Sequence, residues 1–385
     1  MKLDKSEKKS KDIVFINQDS GYLMVDIANR FCEKGYNCSL ITGRLIERDA
    51  RLNTSITVKK IKNYDRSTNI SRILSWLFGS VQILALIQFK FRNCHLFIVS
   101  NPPFSTLLPL FFRNKFSLMI FDVFPDALIE FGITKKGSIL HKVWTQANRK
   151  VYIRAEHIFT LTYGMKQALE QYVAGEKIDL IPLWTSNEFL RPRPKDNNHF
   201  IKDHNLIGKF VILYSGNFGL AHHIELIIDL ASNIKDDRII FVLIGGGPAE
   251  NILKQRISKM DLRNCLLLPW QDIETLPYSL ASADLAVVTL SENAARLGIP
   301  SKLFNYFSVG APILSISGEG SELTKLVREY NVGKSFTSHQ IGEMAEYINE
   351  IIDNNALCDL YHKNSLKAST NHTVKNVELI TQYYV

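Results

Sequence analysis

The feature that most constrains this chain is a repeated alternation of short apolar runs with helix-like segments. The first half carries such apolar runs at residues 12–17, 38–42, 95–100, 117–123, 157–162 and 178–182. Runs of this length, bounded by turn residues, predict strands that are buried on both faces. Strands that alternate with helices are typical of a parallel sheet, so the first half predicts a doubly wound α/β domain.

The second half repeats this pattern after a break in composition. The break lies at residues 189–199, FLRPRPKDNNH, where prolines, charges and paired asparagines are typical of a linker. The apolar runs that follow lie at residues 210–214, 239–244, 265–268, 285–289 and 312–315. Two similar halves predict two Rossmann-like doubly wound α/β domains that face each other across a cleft, with ligands outside the carboxyl ends of the strands.

These patterns divide the chain into four parts. We expect an N-terminal domain over residues 1–188, a linker over 189–199 and a C-terminal domain over 200–368. A final helical segment over 369–385 could pack back on the first domain.

Charge and cysteine content favour some classes of partner and compartment over others. The 385 residues carry a formal net charge of +8, which favours an anionic partner such as nucleic acid, anionic lipid or a phosphorylated substrate. Zinc-finger spacing, a basic zipper and long arginine-rich tracts are absent from the sequence, so nucleic acid is the least favoured of these. The five cysteines are scattered without a C-x-x-C pair, which indicates reduced thiols in a cytosolic protein. The first twelve residues are basic and polar and lack the apolar region of a signal peptide.

Residues 73–89 are nearly all apolar and are flanked by Arg72 and Lys90. A membrane-spanning helix needs about 20 apolar residues, and this run is shorter and contains two serines and two glutamines. We therefore expect a helix that is either buried or docked in a membrane interface. The aromatic and basic flanks, with the apolar segment 104–116, favour interfacial docking.

Small residues follow two predicted strands of the second half. Ser215, Gly216 and Asn217 form a loop between a strand and a helix, where free backbone N–H groups can meet a phosphate. His222 begins the helix that follows and could donate to a diphosphate. Gly246 and Gly247 belong to a similar loop that would let a ligand approach closely. An ordinary tight turn explains either loop equally well.

Two further motifs carry charged side chains at element ends. Pro300 predicts the start of a helix whose first turn carries Ser301 and Lys302, and Asn305 lies one turn later on the same face. A lysine there adds a point charge to an anion site. In the first half, Asp122 and Asp126 follow a strand, where carboxylates suit acceptor binding, acid–base chemistry or simple turn capping.

Taken in order, these motifs resemble the family 4 glycosyltransferases, which have the two-domain GT-B fold. The most similar branch is that of the fucosamine-transferase-like enzymes of bacterial surface-polysaccharide assembly. The resemblance extends over nearly the whole chain and is carried by residues 100–103, 122–126, 181–184, 213–222, 244–248, 268–270 and 300–312.

The resemblance implies a retaining, metal-independent enzyme that moves a hexose or N-acetylhexosamine from a UDP-sugar to a lipid-linked or other saccharide acceptor. Residues 1–188 would bind the acceptor and residues 200–368 the donor. The UDP-sugar is a co-substrate, and no separate cofactor is implied. Such an enzyme would be cytoplasmic and peripheral on the inner face of the plasma membrane, with no nucleic-acid partner.

The resemblance also assigns roles to individual residues. The catalytic candidates are Asp122, Asp126 and His222. The donor-binding candidates are Ser215, Gly216, Asn217, Gly246, Gly247, Trp270, Gln271, Arg296, Ser301, Lys302 and Asn305. Among these, Ser301 and Lys302 would hold the diphosphate, Asn305 the ribose, and Trp270 and Gln271 would meet the base. No metal ligand is implied.

One departure from the family pattern keeps two alternatives open. Many members carry two glutamates eight positions apart, where this chain has Leu297 and Asn305, and Glu292 is out of register. Asparagine can still bind a ribose, but leucine cannot replace a charge that contacts the sugar. The alternative hypotheses are a UDP-sugar 2-epimerase, which shares the two-domain architecture, and a non-catalytic sugar-nucleotide-binding subunit, which is consistent with Leu297.

Overall fold

The computed structural model describes residues 12–65, 67–130, 134–219, 223–291 and 298–384. The chain divides into two compact units. Unit 1 comprises Met1–Ile181 and Val377–Val385, and unit 2 comprises Pro182–Asn376. The chain therefore passes from one unit to the other twice, after Ile181 and again after Asn376.

Unit 1 is built on a seven-stranded parallel sheet of order β5-β3-β1-β6-β7-β8-β9. Its strands are β1 Asp12–Ile16, β3 Asn37–Thr42, β5 Thr57–Lys60, β6 His95–Val99, β7 Phe116–Ile120, β8 Ile158–Thr160 and β9 Ile178–Leu180. The short strands β2 Asp19–Ser20 and β4 Arg44–Leu45 form a separate pair. Because the first six strands of the sheet have the order 3-2-1-4-5-6, this is a Rossmann-like sheet with one added strand.

The helices of unit 1 before Ile181 are α1 Tyr22–Glu33, α2 Asn69–Phe89, α3 Asp126–Glu130, α4 Ile139–Arg154 and α5 Tyr163–Leu169, with 3-10 helices at Pro103–Leu110 and Gly175–Lys177. Helix α2 starts where the Thr68 side chain accepts a hydrogen bond from the Ser71 amide. Its second half is tied to the core through Ile83 and Ile87, which are fully buried.

Helix α2 also exposes apolar side chains. Phe78 and Val81 are each about 60% exposed, although Ile83 and Ile87 of the same helix are buried. Among the described residues, Ile70–Phe89 is the helix whose length and composition would suffice to cross a membrane. The helix that the sequence predicted over residues 73–89 is thus present and one turn longer, with one side in the core and one side exposed.

Unit 2 is built on a six-stranded parallel sheet of order β12-β11-β10-β13-β14-β15. Its strands are β10 Phe210–Asn217, β11 Ile239–Gly246, β12 Cys265–Leu268, β13 Leu285–Thr289, β14 Ile313–Ile316 and β15 Gly333–Phe336. In sequence order the arrangement is again 3-2-1-4-5-6. The prediction of an α/β protein with two Rossmann-like sheets is confirmed.

The helices of unit 2 are α6 His199–Asp203, α7 Glu225–Asn233, α8 Glu250–Lys259, α9 Leu276–Leu280, α10 Lys302–Val309, α11 Glu322–Glu329, α12 Ile341–Ile352 and α13 Asn355–Ser369. The sequence placed a linker at residues 189–199 and the start of the second domain at 200. In the structure, unit 2 already begins at Pro182, and a 3-10 helix at Lys195–Asn197 precedes α6.

The last described residues belong to unit 1 and contact α1. Glu378 forms ion pairs with Arg30 and Lys34, the latter at 2.9 Å, and the Tyr384 ring meets the Phe31 ring edge-on at 4.8 Å. The segment consists of a 3-10 helix at Val374–Val377, α14 Glu378–Thr381 and a 3-10 helix at Gln382–Tyr384. The sequence predicted a single helical segment over 369–385, whereas the structure has these three short pieces after α13.

Candidate functional site

The strand order of unit 2 indicates where a ligand could bind. The sheet is extended in opposite directions from β10 and β13, so a crevice forms outside the carboxyl ends of these two strands. Strand β10 ends with Ser215, Gly216 and Asn217, which were singled out from the sequence. Helix α10, which starts at Lys302, lies in the connection from β13 to β14. The crevice therefore gathers the two segments for which donor binding was predicted.

The sequence pattern predicted loops at Ser215–Asn217 and Gly246, whereas in the structure these residues are the last ones of two strands. Strands β10 and β11 stay paired to their ends, with Gly216 opposite Gly245 and Asn217 opposite Gly246. Gly216 and Gly245 have φ values of +154° and +152°, which residues with a side chain rarely adopt. A Cβ atom on Gly245 would overlap the Gly216 carbonyl, so glycine permits the two backbones to approach and the pairing to continue.

Lys302 reaches from the start of α10 to the end of β10. Its Nζ atom lies 3.6 Å from the centre of the Tyr214 ring, and a side chain on Gly216 would collide with it. Nζ is buried and has no hydrogen-bond partner among the described residues. Burial lowers the pKa of Lys302 to about 7. A cationic donor that the described residues leave without a hydrogen-bond acceptor fits an anionic ligand such as a diphosphate.

Two buried tyrosines fix the backbone around this lysine. The Tyr214 hydroxyl donates to the Asn217 carbonyl at 2.9 Å, and the Tyr306 hydroxyl accepts from the Ser215 amide at 2.8 Å. Burial raises the pKa of Tyr214 and of Tyr306, so both hydroxyls stay neutral. Tyr306 thereby links α10 to the end of β10, and Tyr214 links the strand to its own last residue.

Asn305 offers a second unpaired polar atom on α10. Its Oδ1 atom is buried without a hydrogen-bond partner among the described residues, so it can accept from a ligand hydroxyl. Ser301, immediately before the helix, is exposed, and its side chain makes no capping bond. The first backbone N–H groups of α10 and the Asn305 side chain can therefore meet the same ligand.

Trp270 and Gly246 form one wall beside the strand ends. The indole lies against Gly246, where a Cβ atom would be 3.1 Å from Nε1, and the Trp270 side chain is 58% exposed. Gln271 donates from Nε2 to the Pro269 carbonyl at 2.9 Å. Gly247 has a φ of +147°, and a Cβ atom there would be 2.6 Å from Asn217 Oδ1. These residues supply an exposed aromatic surface and close backbone access.

Several residues singled out from the sequence lie outside the described part of the chain. They are His222, Glu292, Arg296 and Leu297.

Asp122 and Asp126 lie in unit 1, after β7, and have different surroundings. The Asp122 backbone is fixed because its amide donates to Ser100 Oγ at 3.1 Å. Asp122 as a whole residue is exposed, whereas desolvation of its carboxyl group by the surrounding protein raises the pKa of Asp122 to about 6. Asp126 instead accepts from the Tyr172 hydroxyl at 3.0 Å and from Gln171 Nε2 at 3.3 Å. The two carboxylates therefore differ, since desolvation raises the pKa of Asp122 whereas Asp126 is held by two hydrogen bonds.

Within the described ranges, no group of three or more His, Cys, Asp or Glu residues is placed to hold a metal ion.

Sequence reasoning missed Tyr214 and Tyr306 as residues of the site. Tyr214 was counted only as part of an apolar strand. Tyr306 lies four residues after Lys302, which is the spacing that brings two side chains to one face of a helix. That spacing, together with the preference of buried tyrosines for hydrogen-bond partners, could have identified it.

The second half of the chain matches a known protein family. Residues 196–368 match the family described as "Glycosyl transferases group 1". The chain is also similar to the probable glycosyltransferase WbjE of Pseudomonas aeruginosa, with 25% identity over 62% of this chain and 60% of that protein. A second relative is WcaI of Escherichia coli (strain K12), whose name assigns it to glycosyl transfer in colanic acid biosynthesis. It is 28% identical over 55% of this chain and 54% of its own length. The similarity thus spans less than two thirds of either relative.

A solved structure shows the same fold over nearly the whole chain. Anabaena HepE, determined in complex with UDP and glucose, superposes with a TM-score of 0.73 and 13% identity, covering 97% of this chain and 99% of HepE. At this identity the likeness concerns the fold alone, which is that of the GT-B glycosyltransferases.

Proposed function

We propose that this chain, whose residues 196–368 match the glycosyl transferases group 1 family, is an enzyme that transfers a hexose or N-acetylhexosamine from a UDP-sugar to a saccharide acceptor. The observation that carries the proposal is the ammonium group of Lys302, which is buried beside Gly216 and has no hydrogen-bond partner within the described ranges. A buried cation without a partner is costly unless a ligand supplies the opposite charge. The diphosphate of a sugar nucleotide supplies that charge.

The remaining donor contacts follow from the same geometry. Ser301 and the first N–H groups of α10 accompany Lys302 on the diphosphate, because a helix N-terminus favours anions. Asn305 accepts from a ribose hydroxyl through Oδ1. The exposed Trp270 ring lies where a base can stack, with Gln271 beside it. Asn217, Gly246 and Gly247 give the nucleotide close access to the strand ends. The resemblance adds His222 and Arg296, which lie outside the described residues, to the proposed donor site.

The proposed chemistry depends on the leaving group. Lys302 and the helix N-terminus stabilise the negative charge that grows on the diphosphate as the bond to the sugar breaks. The transfer would be independent of a metal ion, because this cationic site takes the place of a metal. It would be retaining, as the resemblance to family 4 implies. Asp122, with its raised pKa, is the proposed residue for proton transfer at the acceptor. Asp126 would help to orient the acceptor.

The proposed acceptor is a saccharide linked to a lipid, which places the enzyme on the cytoplasmic face of the plasma membrane. The stretches 66–121 and 131–155 together contain twelve Lys and Arg residues and no Asp or Glu, more than the whole positive excess of the chain. The same stretches expose apolar side chains at Ile70, Ile73, Leu74, Leu77, Phe78, Val81, Phe89, Leu110, Phe111, Ile139, Leu140, Val143 and Ile153. Exposed apolar groups among basic residues favour binding to anionic lipid.

Radiolabelled UDP-sugars, incubated with the protein and a membrane extract, test this function. Transfer of label to the lipid fraction is the expected result. A changed sugar without transfer would instead favour the UDP-sugar 2-epimerase, and UDP-sugar binding without any turnover would favour a non-catalytic subunit. A preceding screen of UDP- and GDP-sugars for thermal stabilisation selects the donor.

Sedimentation with lipid vesicles tests the membrane location separately. We expect the protein to pellet with phosphatidylglycerol vesicles and less with phosphatidylcholine vesicles. Replacing Phe78 and Val81 by Asp should return it to the supernatant. Ile252→Asp, on the exposed part of α8 in unit 2, is the matched control and should change nothing. If the wild type pellets with neither kind of vesicle, the exposed apolar and basic residues of stretches 66–121 and 131–155 do not dock to a membrane.

A further inference from the structure

We propose that Tyr214 is a positioning residue, whose ring holds the Lys302 ammonium group in place for the donor diphosphate. This inference rests on the proposed function, since it concerns the same site. The two side chains come from different elements, β10 and α10, and meet with Nζ 3.6 Å from the ring centre. Tyr214 is 1% exposed, so the contact is shielded from water.

The ring suits this role because it attracts a cation without occupying the hydrogen-bond donors of that cation. The face of an aromatic ring carries negative electrostatic potential, and a desolvated cation–π contact is worth about 2 kcal/mol. An ammonium group has three N–H donors. Among the described residues none of these donors has a protein acceptor, so all three remain free for phosphate oxygens. A carboxylate in the same place would neutralise the lysine and compete with the ligand.

The ring itself is held from two sides. Its hydroxyl donates to the Asn217 carbonyl at 2.9 Å, and its body packs in the core cluster of unit 2 with Phe218 and Ile212. Gly216, which lies between Tyr214 and Asn217, has no side chain that would separate the ring from Lys302. Strand β10 therefore supplies both the Tyr214 ring that Lys302 contacts and, at Gly216, the space that the lysine side chain occupies.

This arrangement also favours the protonated state of the lysine. Burial acts in the other direction and lowers the pKa of Lys302 to about 7. The ring of Tyr214 counteracts burial, because it stabilises the charged form only. Tyr214 itself and Tyr306, four residues after Lys302 on α10, are also titratable, and burial raises the pKa of both, so both stay neutral. At pH 8 the ring should therefore lower the cost of protonating Lys302 when an anion binds.

A double-mutant cycle on UDP affinity at pH 8, measured by calorimetry, tests the inference. Tyr214→Leu removes the ring and should weaken UDP binding about tenfold, whereas Tyr214→Phe keeps the ring and should stay within about threefold. In a Lys302→Ala background, Tyr214→Leu should cost less than about twofold. An equal loss in both backgrounds would overturn the inference, because the tyrosine would then act on the fold and not on the lysine.

A second measurement avoids variants that fail to fold. In the Tyr214→Phe variant, the new side chain can be replaced by mono-, di- and trifluorinated phenylalanine. Fluorine weakens the negative potential of the ring with little change in size. UDP affinity should fall stepwise with each fluorine, and unchanged affinity would overturn the inference. Absence of UDP binding by the wild-type protein would be a different result, since it would overturn the proposed function and with it this role of Tyr214.

Discussion

The hydroxyl oxygen of Tyr306 lies 2.8 Å from the amide nitrogen of Ser215 and accepts its hydrogen bond. The bond joins the helix that carries Lys302 and Asn305 to the strand end that faces them. Both partners are buried, so water cannot replace either one. The position of α10 over the carboxyl end of β10 is thus fixed by a side chain and does not depend on a ligand.

Tyr306→Phe should destabilise unit 2. The substitution leaves the buried Ser215 amide without an acceptor, which costs about 1–3 kcal/mol. In a unit of this size the melting temperature falls by about 2–4 °C for each kcal/mol, which scanning calorimetry can measure. Tyr163→Phe, at an exposed site in unit 1, is the control and should leave the melting temperature unchanged. Equal melting temperatures for both variants would contradict this role of the hydrogen bond.

Lys302→Ala should weaken UDP binding by about 1–3 kcal/mol, because a charge-assisted hydrogen bond to the diphosphate is lost. Titration calorimetry with UDP gives the value directly. Lys259→Ala removes a lysine from the exposed end of α8 and should not alter the affinity. Unchanged UDP affinity in the Lys302 variant would exclude this lysine as the diphosphate ligand.

UDP affinity should fall as the pH rises from 7.5 to 9. Burial lowers the pKa of Lys302 to about 7, so above this pH the free protein carries a neutral lysine. An anion binds the protonated form, and each further pH unit should cost up to about tenfold in affinity. The terminal phosphate has a pKa of about 6 and is already ionised in this range. Lys302→Arg stays charged throughout, so a pH slope in this variant equal to that of the wild type would contradict the assignment.

Gly216→Ala should reduce UDP affinity by tenfold or more, about 1.4 kcal/mol. The backbone φ of +154° disfavours any side chain, and a Cβ atom would push Lys302 away from the ring of Tyr214. Calorimetry with UDP measures the effect. Gly320→Ala is the matched control, since a Cβ atom at 320 meets no atom within 4 Å. If both variants bind UDP like the wild type, the close approach at Gly216 has no part in binding.

Asp122→Asn should lower the rate of sugar transfer while UDP affinity stays the same. In the wild type, the pKa of Asp122 near 6 means that transfer should decline below pH 6, where the carboxylate is protonated. The variant should lack this decline. A variant that transfers sugar at the wild-type rate would exclude Asp122 as the base.

The same carboxyl group should affect stability in a defined direction. Its pKa in the folded protein lies above the ordinary value of 3.8, so between about pH 4 and 6 the folded state binds more protons than the unfolded state. The stability that the neutral carboxyl contributes is therefore lost as the pH rises through 6. At pH 8, Asp122→Asn should be slightly more stable than the wild type in thermal denaturation.

The apolar runs predicted the central strands of both sheets because those strands are buried on both faces and show continuous hydrophobicity. The short pair β2 and β4 was missed, and the strands of the two large sheets that were missed, β5 and β15, lie at sheet edges. Their sequences TVKK and GKSF bury little apolar surface, so they carry no such signal. The segment after residue 369 was predicted as one helix, but in the structure its described part is three short helical pieces.

The sequence predicts which residue types belong to the proposed site, but it does not predict their geometry. The motif around Lys302 and the glycines after the strands indicated a phosphate site, which depends on local chemistry. That Lys302 lies over Tyr214 could not be predicted, since it depends on the pairing of β10 with β11 and β13 and on the path of α10. Such contacts are set by tertiary packing between residues about ninety positions apart.

The return of the chain to unit 1 at Val377 makes unit 2 an insertion within unit 1. A ribosome that synthesises this chain completes every residue of unit 2 before it adds the residues that pair with Arg30, Lys34 and Phe31. Domains generally fold in the order of synthesis. Here unit 2 can complete its folding before unit 1, because unit 1 still lacks residues 377–385. A stalled or truncated product should therefore contain a folded unit 2 and an incompletely folded unit 1.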